Sequence, residues 1–246
     1  MKSLLKPYID SLCQRLNIKI DSEKIEKLLI YLENMLKERQ KFNLIGSQDP
    51  KEIVSLHILD SLYGATLFPA PGQGKVLDVG TGAGLPGIVF KIYHPKIELF
   101  LLESQKKKCA FLEHIIKILS IDNVFIICGR AEKLARDIKF HGVFNLVLSR
   151  AVARLDVLAE YCLPFVCLNG YFWAFKGPDV FKEVEEAKKA INILGAELSK
   201  IEKYNLLVDK DDEEEYHSRQ ILIYKKINPT PNRYPRRIGI PQKRPL

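Results

Sequence analysis

Apolar residues between positions 3 and 42 recur at helical spacing, with Ile25, Leu28, Leu29, Leu32 and Leu36 separated by Lys, Glu and Arg. Asp21, Ser22 and Glu23 supply a cap ahead of the second helix. A further helix is predicted through Ile53, Leu56, His57, Leu59, Asp60 and Leu62. Residues 1–66 therefore read as a small helical region, followed by a linker marked by Pro69, Pro71, Gly72 and Gly74. Beyond it the pattern changes to short apolar runs alternating with amphipathic ones. Strands are expected at 75–79, 97–102, 124–128, 144–148 and 171–175, and helices at 85–93, 106–119, 154–163 and 180–194. This alternation predicts an α/β fold, a parallel sheet covered by helices on both faces. Two last strands, about 198–207 and 220–225, have only the acidic loop 209–215 between them, so an antiparallel edge hairpin is expected. No internal repeat is found.

Composition narrows the picture. A chain of 246 residues with 47% apolar side chains is one large domain, or one domain with a small appendage. No run approaches the 18 uncharged apolar residues of a membrane span. Lys2, Lys6 and Asp10 interrupt any secretory signal, so a cytoplasmic location is expected. The five cysteines are odd in number and form no CxxC pair, which excludes a disulfide scaffold. Cys109, Cys128 and Cys162 fall in stretches that read as buried, as small core hydrophobes do. No metal site is expected, and without a long apolar surface stripe the chain is expected to be a monomer.

The charge is unevenly placed. Of the net +8, nearly all sits after position 224, where seven basic residues stand with no acidic one; the rest carries 31 basic against 30 acidic side chains. Residues 228–246 also hold five prolines, which favour an extended course. Such a tail suits a polyanion. Arg233, Arg236, Arg237, Lys243 and Arg244 are candidate phosphate contacts, and Tyr234 a candidate stacking platform for a base.

Candidate chemistry begins where the first strand ends. Asp78-Val79-Gly80-Thr81-Gly82-Ala83-Gly84-Leu85-Pro86-Gly87 places glycines where a strand turns into a helix, allowing positive φ and close approach of a ligand to bare backbone. A dinucleotide fingerprint wants its third glycine at 85, where Leu85 stands; here that glycine comes one place early, at Gly84. Asp78 is expected to orient this turn or a ligand's ammonium group. Glu103 closes the second strand, where a carboxylate can accept both hydroxyls of a ribose. Ala131 and Glu132 follow the third strand at the rim an adenine would occupy, although an acid there is also an ordinary helix start. Arg150 and Lys176 stand at the carboxyl ends of the fourth and fifth strands, the edge at which open sheets bind ligands. His57 reads either as a local structural hydrogen bonder or as a contact to RNA or cofactor.

Several of these blocks together carry a resemblance. Gly80 to Gly87, with Asn43-Leu44, His57-Ile58-Leu59-Asp60-Ser61, Ser149-Arg150-Ala151 and Lys176-Gly177, resembles the bacterial small-subunit ribosomal RNA guanine-N7 methyltransferases, the glucose-inhibited division protein B family. The resemblance runs from about residue 25 to 177; Ile45 and Arg39 depart from residues common in the family. It implies a Rossmann-like seven-stranded S-adenosylmethionine-dependent methyltransferase sheet at 67–227, between the helical region 1–66 and the tail 228–246. It also implies cofactor contact at Gly80, Leu85, Ala131, Glu132 and Arg150, to which the reading of the residues themselves adds Asp78, Gly82, Gly84 and Glu103, and it implies 16S ribosomal RNA or the small ribosomal subunit as partner.

The implied reaction is chemically undemanding. Guanine N7 has a free lone pair, so alignment rather than deprotonation is the task. The sequence agrees: no Pro-Cys nucleophile occurs, and no Asn-Pro-Pro-Tyr type motif follows the fourth strand. Arg150 is expected to position, with no general base. Two other readings are an NAD-dependent oxidoreductase, disfavoured by Leu85, and a non-catalytic RNA-binding or assembly protein on the same fold.

Overall fold

Helix formation at the amino end follows the apolar spacing. In the computed structural model, which describes residues 2–39, 44, 46, 49–69, 73–210 and 213–246, α1 spans Lys2–Arg15 and α2 spans Ser22–Arg39. Asp21 accepts from the Lys24 backbone N–H at 2.9 Å, the expected cap. Leu28, Leu29, Leu32 and Met35 are fully buried along one face of α2. A short α3 (Pro50–Ile53), capped by Asp49, runs into a π-helical turn at Val54–Leu59 and then α4 (Asp60–Leu67). Asn43 and the linker residues Pro71 and Gly72 lie outside the described residues.

Strands and helices then alternate as β1 (Lys75–Val79), α5 (Gly87–Tyr93), β2 (Glu98–Glu103), α6 (Lys106–Leu119), β3 (Val124–Cys128), α7 (Ala131–Leu134), β4 (Phe144–Arg150), α8 (Leu155–Cys162) and β5 (Val166–Lys176). The chain continues with α9 (Phe181–Ile193), β6 (Ala196–Lys210), β7 (Glu213–Lys226) and α10 (Ile240–Lys243). The sheet order is β3-β2-β1-β4-β5-β7-β6, parallel from β1 to β5, with β7 antiparallel to both β5 and β6. The expected hairpin is therefore present, with β7 inside and β6 on the edge. The order reverses between β1 and β4, and a crevice opens at the carboxyl ends of those neighbours.

Alternation along the strands divides the core between the two faces. Val76 and Trp173 join an apolar cluster with Ile9, Leu28, Ile58 and Val89, so the amino-terminal helices share one core with one face of the sheet. Leu77 and Phe172 face the other cluster, with Leu158, Ala187 and Tyr224. His94, just past α5, bonds the Ala65 carbonyl of α4 at 2.7 Å and ties the two together.

Three expectations need correction. The final strands run into the acidic stretch that read as a loop, β6 to Lys210 and β7 from Glu213, where cations from the helical region offset its charge: Asp209 pairs with Lys51 at 2.6 Å and Glu214 with Arg15 at 2.7 Å. Cys128 is exposed, since the end of β3 lies at the sheet edge, whereas Cys109 and Cys162 are buried. The carboxyl-terminal segment does not trail into solvent. Tyr234 is 6% exposed in the second cluster, where its ring is unavailable for stacking on a base.

Candidate active site

The glycine turn is built from its own hydrogen bonds. Gly80, Gly82 and Gly84 have φ of 71°, 60° and 101°. A Cβ at Gly80 would stand 2.5 Å from the Val152 side chain, so the approach of the β4 loop also requires glycine there. Asp78 is wholly buried beneath the turn, and its Oδ2 accepts from Thr81 Oγ1 at 2.6 Å and the Gly87 N–H at 2.8 Å. Its Oδ1 is buried without a partner. Burial pushes the Asp78 carboxyl up to about 6, against the pull of the Thr81 and Gly87 hydrogen bonds and of the Arg150 charge. Glu103 accepts from Gly82 N–H at 3.1 Å and Gln105 N–H at 2.8 Å, joining β2 to the turn. Tyr31 of α2 donates to the Ala83 carbonyl at 2.7 Å, so the helical region braces the same turn.

A cavity of about 170 Å³ opens over these strand ends. Val79 and Gly80 form one wall, Leu102 and Ser104 a second, Gly129 to Glu132 a third, and Val152, Ala153 and Tyr161 a fourth. Leu85 instead packs in the first apolar cluster at 5% exposure.

Across the loop after β4 lies a second cavity, of about 280 Å³, lined by Leu56, His57 and Asp60 and by three cations, Arg150, Lys176 and Arg219. Asp60 anchors it: Arg150 Nη1 lies 3.2 Å from Asp60 Oδ2, and Tyr204 Oη donates to Oδ1 at 2.5 Å. Arg150 also reaches the Leu56 and His57 carbonyls of the π-helical turn at 3.4 Å. Lys176 pairs with Glu183 at 2.6 Å. Burial, with the Arg150 and Arg219 charges, pushes His57 down to about 3, so its ring is neutral at pH 7.

Among the described residues, no group of three or more His, Cys, Asp or Glu is placed to hold a metal ion, and no helix is long and apolar enough to cross a membrane. The sequence model of the GidB family, described as rRNA small subunit methyltransferase G, matches residues 24–210. The chain belongs to that family. It is 43% identical to the Ribosomal RNA small subunit methyltransferase G of Desulfitobacterium hafniense over 95% of this chain and 94% of that one. Against the protein of the same name from Clostridium kluyveri it is 39% identical over 97% of each chain. Among solved structures, the precorrin-6y C5,15-methyltransferase of Geobacter metallireducens superimposes with a TM-score of 0.52 at 15% identity, covering 76% of this chain and 91% of that one. A SAM-dependent O-methyltransferase from Thermotoga maritima gives 0.51 at 14% identity, covering 80% and 72%. These two likenesses show the methyltransferase fold.

In this member of the methyltransferase G family the residues singled out from sequence fall into three groups. Gly80, Ala131 and Glu132 line the first cavity, whereas Asp78, Gly82, Gly84 and Glu103 belong to the glycine turn and the strand ends that carry it and are not part of the lining. Arg150 and Lys176 meet His57 in the second. The tail cations divide: Arg233, Arg237, Lys243 and Arg244 are exposed, whereas Arg236 is drawn inward by Glu160, its Nη2 2.6 Å from a carboxylate only 1% exposed. Lys226 is also buried, donating to the Leu163 and Leu194 carbonyls and bonded to Thr230. Sequence reasoning missed Tyr161, Tyr204, Arg219 and Gln242, the last a tail residue in the wall of the first cavity. Asp60 stood inside the His57 to Ser61 block, so a signal for it existed. Tyr204, 144 positions from its partner, had none.

Proposed function

We propose that this chain transfers a methyl group from S-adenosylmethionine to N7 of a guanine in 16S ribosomal RNA, in the cytoplasm and as a single chain. The observation that carries the reading is the pairing of two cavities across the loop after β4, one over a glycine turn with an orphaned acceptor beneath it and one lined by three cations. The cofactor fits the first: a buried carboxylate oxygen without a partner suits a ligand's ammonium group, and bare glycine backbone admits close approach. When bound, that cofactor supplies an electrophilic methyl on a sulfonium.

The chain's own groups then have limited tasks. Asp78 Oδ1 would orient the ammonium group, Glu103 would accept ribose hydroxyls, and Ala131 with the walls around it would hold the base. Arg150, Lys176 and Arg219 would draw in RNA phosphate and fix the acceptor base. Asp60, held by Tyr204, keeps the Arg150 guanidinium in place. Guanine N7 gives up no proton on methylation, so no group need act as general base. Arg150 stays protonated throughout, and neutral His57 adds no charge to repel a cationic cofactor. Exposed Arg233, Arg237, Lys243 and Arg244 would extend the RNA contact.

The test is methyl transfer from labelled S-adenosylmethionine to small ribosomal subunits and their free RNA, taken from cells lacking the native activity, with the modified base mapped by mass spectrometry. Label at one guanine N7 is the expected result. Cofactor binding without any label would leave the non-catalytic assembly reading in its place.

A further inference from the structure

The carboxyl-terminal segment is anchored at several points beside the first cavity. Arg236 closes a fork on Glu160, with Nε 3.0 Å from both carboxylate oxygens and its backbone N–H 2.6 Å from Oε1. Arg136 donates from Nε to the Pro235 carbonyl at 2.9 Å. Tyr234 and Pro241 are buried. Gly239, at φ 79°, turns the chain so that its N–H donates to Glu132 Oε1 at 3.2 Å. The short helix α10 follows, and its Gln242 joins Gly80 and Leu102 in the cavity lining.

Two features of this arrangement differ from a tail that serves RNA alone. First, Glu132 is only 2% exposed, and its Oε1 accepts from both Arg130 and the Gly239 N–H. It clamps the segment. Second, the lining includes apolar surface from Leu102 of β2, Ala131 of α7 and the Tyr161 ring of α8, while Gln242 brings an uncharged amide that both donates and accepts. A purine edge offers the complementary donor and acceptor, without a charge to be neutralised.

We propose that residues 234–242 are a strap forming the outer wall of the cofactor cavity, clamped by Glu132 and Glu160, and that Gln242 is a contact for the purine end of the cofactor. The assignment rests on the S-adenosylmethionine reading above. It gives the segment a duty in cofactor affinity that is separate from any contact of its exposed cations with RNA.

The test uses equilibrium binding without RNA. S-adenosylhomocysteine and adenosine are titrated calorimetrically into the full chain, into Gln242→Ala, and into a chain ending at Ile238, which keeps the Arg236 to Glu160 fork; each is also melted without ligand. Gln242→Ala should weaken both ligands about fivefold to tenfold, the scale of one lost hydrogen bond. The shortened chain should weaken both by more than about thirtyfold, since the wall itself is removed. Free methionine serves as a probe that should not distinguish the three. If the full chain binds S-adenosylhomocysteine and both variants bind it equally well, the strap is overturned and the cofactor reading stands. If the full chain takes up no S-adenosylhomocysteine, the cofactor reading falls and the strap with it. Should the shortened chain fail to fold, Gln242→Ala decides alone, because that side chain is exposed and its loss leaves every anchor intact.

Discussion

Asp78 has two oxygens with different work, and the difference is measurable. Oδ2 organises the glycine turn, while buried Oδ1 lacks a partner. Its carboxyl sits at about 6 in the folded chain against an ordinary 3.8, so between those values the native state binds the extra proton and stability falls as pH rises. Asp78→Asn should therefore stabilise the ligand-free chain at pH 8, by about 1 kcal/mol. The advantage should largely vanish by pH 4, where the folded Asp78 carboxyl is protonated and as uncharged as the amide. S-adenosylhomocysteine affinity should fall more than about tenfold with the loss of the charged acceptor. Melting and calorimetry at the two pH values check both halves, and normal affinity in the variant would remove Asp78 from the ligand site. His57 has the opposite sign. Held at about 3 when folded against an ordinary 6.5, it leaves stability intact above pH 6.5 and removes it as pH falls. His57→Gln should flatten the acid limb by about 1.4 kcal/mol per pH unit between pH 6 and 4, read from urea melts.

At the scale of elements, the turn from β1 into α5 depends on a side chain being absent. A Cβ at Gly84 would collide with the Ile88 side chain and stand 3.0 Å from Tyr31 Oη, at a φ of 101° that L residues rarely adopt. Gly84→Ala should cost about 2–3 kcal/mol and loosen the bond from α2 to the turn, measured by denaturant melts and by amide exchange at Gly82 to Leu85. This element was legible in the sequence because strand, glycines, proline and helix lie within about a dozen residues, each with its own local cause. β1, α6 and β3 were readable to the residue for the same reason. The π-helical turn was not, since nothing in Val54 to Leu59 departs from an ordinary helical pattern; its carbonyls find a partner in Arg150, far along the chain. Nor could spacing show that Arg236 and Tyr234 turn inward, because their buried partners Glu160 and the second apolar cluster belong to other elements. Net charge located the basic segment and left open which of its cations reach solvent.

For the whole molecule, that division of cations sets the response to salt. With Arg236 and Lys226 engaged internally, four exposed cations remain on residues 228–246: Arg233, Arg237, Lys243 and Arg244. Replacing all four with Gln should lower the slope of log affinity against log salt for RNA by about 3 units, at roughly 0.7 per single-strand phosphate contact. Filter binding from low to moderate salt reads the slope, and an unchanged value would exclude these four as phosphate contacts. The helical region and the sheet act as one body in this respect, because a single apolar cluster joins Ile9 to Ile223.

The placement of β7 between β5 and β6 bears on how the chain behaves before it is finished folding. Until β7 arrives, β5 has an open edge along Tyr171 to Lys176, a run that includes Phe172, Trp173 and Phe175. Such an edge accepts any extended strand, including one from a second unfolded molecule. Refolding from denaturant should consequently lose yield as protein concentration rises, and a soluble excess of the 213–226 peptide should compete for the vacant edge and slow the recovery of native chain.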